Sequence, residues 1–125
     1  MAGEEAAAGH LRAAGFRILA RNWRRGRLEL DMVCRDGDTL VFVEVKTRST
    51  GSLASPAEAV TPAKRRALFQ AARLWLDEHE AWHENCRFDV VCVIRHADTL
   101  TVEHIADAVD VSPFVDGSHA AWQPW

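Results

Sequence analysis

Nine consecutive residues, Leu40-Val41-Phe42-Val43-Glu44-Val45-Lys46-Thr47-Arg48, constrain the fold of this chain more than any other stretch. The first half is β-branched and aromatic without a break, the pattern of a central strand buried on both faces. The second half turns charged. Side chains alternate along a strand, so Glu44 and Lys46 project from one face about 6.5 Å apart, at a rise of roughly 3.3 Å per residue. An acid and a base are thereby held side by side at the rim of a core. Taken alone, the pair reads most simply as the solvated end of a strand. The rest of the chain changes that balance.

Upstream, Leu28 to Cys34 alternates as a second strand, with Leu28, Leu30 and Met32 on one face and Glu29, Asp31 and Val33 on the other. Arg35-Asp36-Gly37-Asp38 then turns the chain back, Asp-Gly being a strong hairpin signal. Loop length sets the register. A two-residue loop at Asp36-Gly37 places Glu29 opposite Glu44 with Asp31 on the diagonal. A four-residue loop from Asp36 to Thr39 places Asp31 directly opposite Glu44. Both put Asp31, Glu44 and Lys46 on one face, whereas a one-residue slip separates them.

Gly3 to Ala14 has the spacing of a helix, with Ala7, Leu11 and Ala14 on one side and Gly15 placed to end it. Glu4 and Glu5 fall in its first turn, where the helix dipole favours acids. Phe16 to Ala20 forms a short strand. Around and after it Arg17, Arg21, Arg24, Arg25 and Arg27 enclose Asn22 and Trp23, which reads either as a solvated edge or as a phosphate-contacting flank whose Trp23 packs or stacks on a base. Ser49-Thr50-Gly51-Ser52 reads as a mobile loop beside the charged cluster. Thr61-Pro62 supplies an N-cap and first helical position for a long helix to about His83, with Leu68, Ala72, Trp75, Leu76 and His79 as its stripe. Lys64, Arg65 and Arg66 in its first turns oppose the dipole, so a further anion, or simply a solvated basic face, accounts for them. His79 and His83 are four apart but lack further ligands at zinc spacing. Arg87 to Ile94 is another buried strand, Leu100 to His104 a shorter one, and Ile105 to Val109 a helical turn.

The 125 residues, 48% of them hydrophobic, suffice for one domain with a sizeable core. We expect that domain over 1–110 and an irregular tail over 111–125, where Pro113, Gly117 and Pro124 interrupt any pattern and Trp122 and Trp125 can dock on the domain or on a partner. Charge is uneven: residues 1–73 hold 13 of the 15 Lys and Arg against 8 of the 18 acids, while the remainder is strongly acidic. That asymmetry hints at a polyanion partner, although a pI near 6.0 argues against a general nucleic-acid coat. Cys34, Cys86 and Cys92 are odd in number and form no C-x-x-C pair, so neither a disulfide framework nor a usual zinc site is indicated; Cys34 and Cys92 read as core thiols. The start lacks a basic n-region followed by an apolar stretch, so a soluble cytoplasmic setting without a membrane is expected.

Two carboxylates on adjacent strands, with a lysine two residues beyond the second, make an oxygen-ligand set suited to magnesium or manganese, whose remaining positions bind water and phosphate. A bound ion activates water and stabilises charge on a phosphodiester, and Lys46 orients that water or neutralises the same charge. Arg48 can hold a neighbouring phosphate. No Ser-His-Asp or Cys-His arrangement, P-loop or dinucleotide fingerprint competes.

Gly3-Glu4 with Ala7 and Leu11, Gly15-Phe16-Arg17-Ile18-Leu19, Asn22-Trp23-Arg24, Glu29-Leu30-Asp31-Met32-Val33, Phe42 to Arg48, Ala59-Val60-Thr61 with Lys64, and Arg87-Phe88-Asp89-Val90-Val91 together resemble the YraN family of small bacterial proteins. The resemblance runs from about Gly3 to Ala108 and is most specific at Phe-Val-Glu-Val-Lys-Thr-Arg. It implies a PD-(D/E)XK nuclease-like fold near archaeal Holliday-junction resolvases. It also implies Asp31 and Glu44 as metal ligands, Lys46 as the catalytic lysine, Glu4 as a further acid, and Glu29 as a motif residue of undefined role. Leu28 departs from it, standing where the family usually has glycine, and His10 stands at a position more often aromatic.

The expected fold is therefore α/β and restriction-endonuclease-like, a single domain with a mixed central sheet, an antiparallel hairpin and flanking helices. The expected function is a Mg2+- or Mn2+-dependent endonuclease acting on DNA, branched or single-stranded, with Arg24, Arg25, Arg27, Arg48 and Lys64 contacting nucleic acid. Resemblance to resolvases adds a homodimer. The alternatives are a non-catalytic nucleic-acid-binding or protein-docking module on a nuclease scaffold, and a structural partner in a larger complex.

Overall fold

The computed structural model describes residues 2–49 and 60–109. The expected loop from Thr50 onward and the tail from Asp110, with Trp122 and Trp125, lie outside the described residues. Helix α1 (Ala2–Ala13) leads into strands β1 (Arg17–Arg25), β2 (Leu28–Asp36) and β3 (Thr39–Ser49). Helix α2 (Pro62–Glu78) follows, then β4 (Asn85–His96) and β5 (Thr99–Ile105). The five strands form one mixed sheet in the order β1-β2-β3-β4-β5. Neighbours are antiparallel except β3 and β4, which run parallel from Thr39↔Asn85 to Ser49↔Arg95. A parallel pair needs a crossover, and α2 lies within it. The result is the α/β single domain expected, with an antiparallel hairpin and a helix on each face of the sheet.

Alternation along β3 divides two cores. Leu40 and Phe42 face α2, packing with Leu68, Phe69, Trp75 and Leu76, whereas Val41 and Val43 face Ala7, Ala8 and Leu11 of α1. Gly3 lets α1 approach β3 closely, since a Cβ there would lie 2.7 Å from Thr47 Oγ1. Among the described residues, no helix is long and apolar enough to cross a membrane.

Several boundaries depart from the sequence reading. The first strand covers Arg17–Arg25 rather than ending at Ala20, so the arginine-rich stretch is the edge strand itself. It carries a register shift between Ile18 and Ala20 and a left-handed Asn22, φ 51°. Opposite Asn22, β2 changes faces: Leu30 and Val33 join the α2 core, while Met32 and Cys34 join the α1 core. Leu28, Leu30 and Met32 thus do not share one face. Trp23 is buried against the α2 core and is not offered to a base. The β2, β4 and β5 strands are longer than the sequence reading gave them, and Ala106-Asp107 forms a turn rather than helix.

Thr61 caps α2 as expected, its hydroxyl accepting from Lys64 N at 3.2 Å. The helix stops at Glu78, five residues before His83. Glu80 takes φ 51°, Ala81 N donates to Leu76 O at 3.0 Å and Glu80 N to Asp77 O at 3.4 Å. This is a Schellman ending with glutamate where glycine is usual, so no local glycine marked it.

Candidate functional site

The hairpin turn sets the geometry. Asp36 pairs with Thr39, so Gly37-Asp38 form a two-residue loop, one place later than the shorter expected loop but in the register expected of the four-residue one, with Gly37 at φ 61°. The resulting register is nevertheless the one that directs Asp31 toward Glu44: the pairing runs down to Met32↔Val43. Beyond it Asp31 replaces a ladder bond with its side chain, Oδ2 accepting from Val45 N at 2.8 Å. Asp31 therefore closes the hairpin where the strands part.

Glu44 is 5% exposed. Its Oε2 is 3.0 Å from Lys46 Nζ and 3.5 Å from Lys64 Nζ. Lys46 reaches it from the same strand and Lys64 from the first turn of α2, which supplies the anion that this dipole-opposed lysine called for. Burial, then the adjacent Glu44 charge, push the Asp31 carboxyl from 3.8 up to about 6; the Val45 N–H and the Lys64 charge act the other way. Burial and the neighbouring carboxylate thus hold the Asp31 charge at a cost.

Glu4 approaches from α1. With its amide nitrogen turned toward the helix, Asn22 donates to both Glu4 oxygens, at 3.1 and 3.2 Å. Glu4, Asn22, Arg24, Glu29, Leu30 and Asp31 line one cleft of about 380 Å³. Glu4 thus shares a cleft with Asp31, but among the described residues no three His, Cys, Asp or Glu side chains converge as a metal cluster.

The five basic residues assigned to nucleic acid separate. Arg24 lies 3.4 Å from Glu29 and is mostly exposed. Arg25 forks onto Glu78 at 2.9 and 3.0 Å and covers the Trp23 ring at 4.8 Å, which commits it to structure. Arg27 is exposed at the β1–β2 turn. Arg48 donates to Thr47 O at 3.2 Å, and Lys64 belongs to the Glu44 cluster. Leu28 packs on the α2 core, and the turn before it takes its positive φ at Gly26 instead.

A second charged cluster escaped the sequence reading. Asp89, fully buried, accepts from Arg87 Nε at 3.0 Å, Arg87 Nη2 at 3.2 Å and Asp107 N at 2.9 Å, and lies 2.7 Å from His104 Nε2. The same Arg87 reaches Asp36 at 3.1 Å. Arg87 and Asp89 being two apart on a strand was the available signal. Cys34 and Cys92 are core thiols, and burial pushes the Cys34 thiol up to about 11. His79 caps α2 and stacks on Trp75 at 3.9 Å.

A family model described as "Uncharacterised protein family UPF0102" matches residues 3–93, nearly three quarters of the chain. The chain belongs to UPF0102. This is the YraN family of the sequence resemblance. A UPF0102 protein of Nitratidesulfovibrio vulgaris is 53% identical over 123 residues, covering 98% of this chain and 92% of that protein. Relatives from Lawsonia intracellularis and Geobacter sulfurreducens are each 44% identical, covering 98% and 88% of this chain and 93% and 87% of their own lengths. The UPF0102 match spans the Asp31, Glu44, Lys46 and Lys64 positions as well as Glu4.

Proposed function

We propose that this UPF0102 chain is a divalent-metal-dependent endonuclease that hydrolyses phosphodiester bonds in DNA. The observation that carries the reading is half-buried Asp31 beside buried Glu44, with Lys46 Nζ 3.0 Å from Glu44 Oε2. Two adjacent carboxyls, one of them carrying a charge that burial and its neighbour oppose, fit a hard cation, and magnesium commonly takes only one or two protein carboxylates. Asp31 and Glu44 would hold Mg2+ or Mn2+. When bound, such an ion supplies an activated water and an electrophile for a phosphoryl oxygen.

The chain's own groups do the rest. Val45 N–H holds the Asp31 carboxylate in one orientation. Lys46, fixed by the strand, donates to the attacking water or to charge growing on phosphate. Arg48 beside it and the exposed Arg24 and Arg27 extend positive charge for neighbouring phosphates. Glu4 lies across the cleft, where it can orient water. Resemblance to resolvases supports branched DNA as the substrate and a homodimer as the working form. The second reading, a binding module without turnover, draws on Glu44 Oε2 being matched by two ammonium groups.

The test is cleavage of labelled single-stranded, duplex and four-way DNA in Mg2+, Mn2+ or EDTA, with Lys46→Ala beside the wild type. The nuclease reading expects metal-dependent cutting that Lys46→Ala abolishes. Equal cutting by both proteins, or none by either, rejects it, and retained DNA binding by an inactive wild type selects the module.

A further inference from the structure

We infer that Lys64 is an exchangeable lysine of the site: it competes with a divalent cation for Glu44 Oε2, yields that oxygen when the cation arrives, and then serves phosphate. This rests on the proposed metal site. The two lysines meet the same oxygen but are not equivalent. Lys46 stands 3.0 Å away with a side chain 21% exposed, two residues along the strand that carries Glu44. Lys64 stands 3.5 Å away with a side chain 30% exposed and comes from another element. Its ammonium lies in the first turn of α2, the end of a helix where positive charge is disfavoured. The looser contact is the one that gives way.

A carboxylate oxygen offers two lone pairs, and two ammonium groups face Oε2. A divalent cation held by Oε2 would take one of those directions. The released ammonium stays on a flexible four-carbon stem beside the site, where the anion left for it is a phosphate oxygen. Lys64 therefore acts in opposite senses, weakening cation binding and strengthening nucleic-acid binding. Neither a plain helix-stabilising lysine nor a plain phosphate contact does both. The start of α2 is held by Thr61 through the Lys64 backbone N–H, so replacing the side chain leaves the cap in place.

The experiment titrates Mn2+ calorimetrically into wild type, Lys64→Met and Asp31→Asn, then measures binding of a labelled single-stranded oligodeoxynucleotide in Ca2+ across a salt series. Lys64→Gln replaces Lys64→Met if the latter melts differently from wild type. The expected result is Mn2+ binding roughly three- to tenfold tighter in the Lys64 variant, a range that starts within the strength of an exposed ion pair and extends to a partly buried one. DNA binding should weaken several-fold, with a shallower salt slope. Equal Mn2+ affinity in wild type and Lys64 variant, lost in Asp31→Asn, overturns the role of Lys64 and leaves the metal site standing. Mn2+ binding by neither wild type nor variant overturns both. Tighter Mn2+ with unchanged DNA affinity overturns the transfer to phosphate, and loss of both affinities together overturns the exchange in favour of a structural lysine.

Discussion

Replacing Asp31 by asparagine should make the protein more stable at neutral pH. Asparagine keeps a carbonyl oxygen for Val45 N–H and removes the charge that burial and Glu44 oppose. Asp31 has its carboxyl raised from 3.8 to about 6 on folding. Between those values the folded chain binds the proton more tightly than the unfolded one, so stability falls as pH rises through that window. The stabilising contribution of the protonated group is complete below about pH 4 and lost above about pH 6. Two pH units correspond to about 3 kcal/mol, or about 2 once partial solvent contact is allowed for. For a chain of this length about 2 kcal/mol is a Tm gain of roughly 8 °C. Paired thermal melts of wild type and Asp31→Asn at pH 4 and pH 7.5 should show no difference at the lower pH and the full gain at the higher. A gain of equal size at both values, or a loss at pH 7.5, would refute the argument that the Asp31 charge is held at a cost.

Gly3→Ala should destabilise by about 1 kcal/mol, because overpacking against Thr47 Oγ1 outweighs the better helix propensity. Combined with Thr47→Ala the same change should become neutral or stabilising, and urea denaturation of the four proteins in that cycle reads the sign reversal. Asp89→Ala strands Arg87, His104 and the Asp107 N–H together. Losing one member of a buried charged network costs about 3–5 kcal/mol, and chemical denaturation showing under 1 kcal/mol would contradict the burial of this network.

The central strand was legible because Leu40 to Val43 has no alternative to burial on both faces, and the Asp31–Glu44 meeting because Asp-Gly admits few registers. The loop is the two residues Gly37-Asp38, yet its register is the one expected of the four-residue alternative, so the side-chain direction foreseen for Asp31 survived. The face change in β2 was hidden, since it leaves no mark in Leu30-Asp31-Met32. The α2 ending was hidden for a related reason: Glu80 accepts a left-handed conformation that usually announces itself as glycine. Lys64 looked unsatisfied in its own helix because its partner Glu44 lies 20 residues upstream, beyond any local rule. Trp23 showed the limit of residue type as a guide, an aromatic among arginines that packs inward while Arg25 covers it.

The parallel pairing of β3 with β4 bears on the birth of the protein. Glu44 lies beside Val90, 46 residues later. At roughly 5–20 residues per second, a ribosome that has released the acid-bearing strand needs some two to nine seconds more to deliver its neighbour. During that interval the emerging β3 has one flank covered by the hairpin and the other bare. Its apolar Leu40 to Val43 segment is then an open template for stray chains. A nascent chain stalled after α2 is thus the form of this protein most in need of a chaperone, and the chemistry proposed here waits for a strand that carries none of its three principal residues.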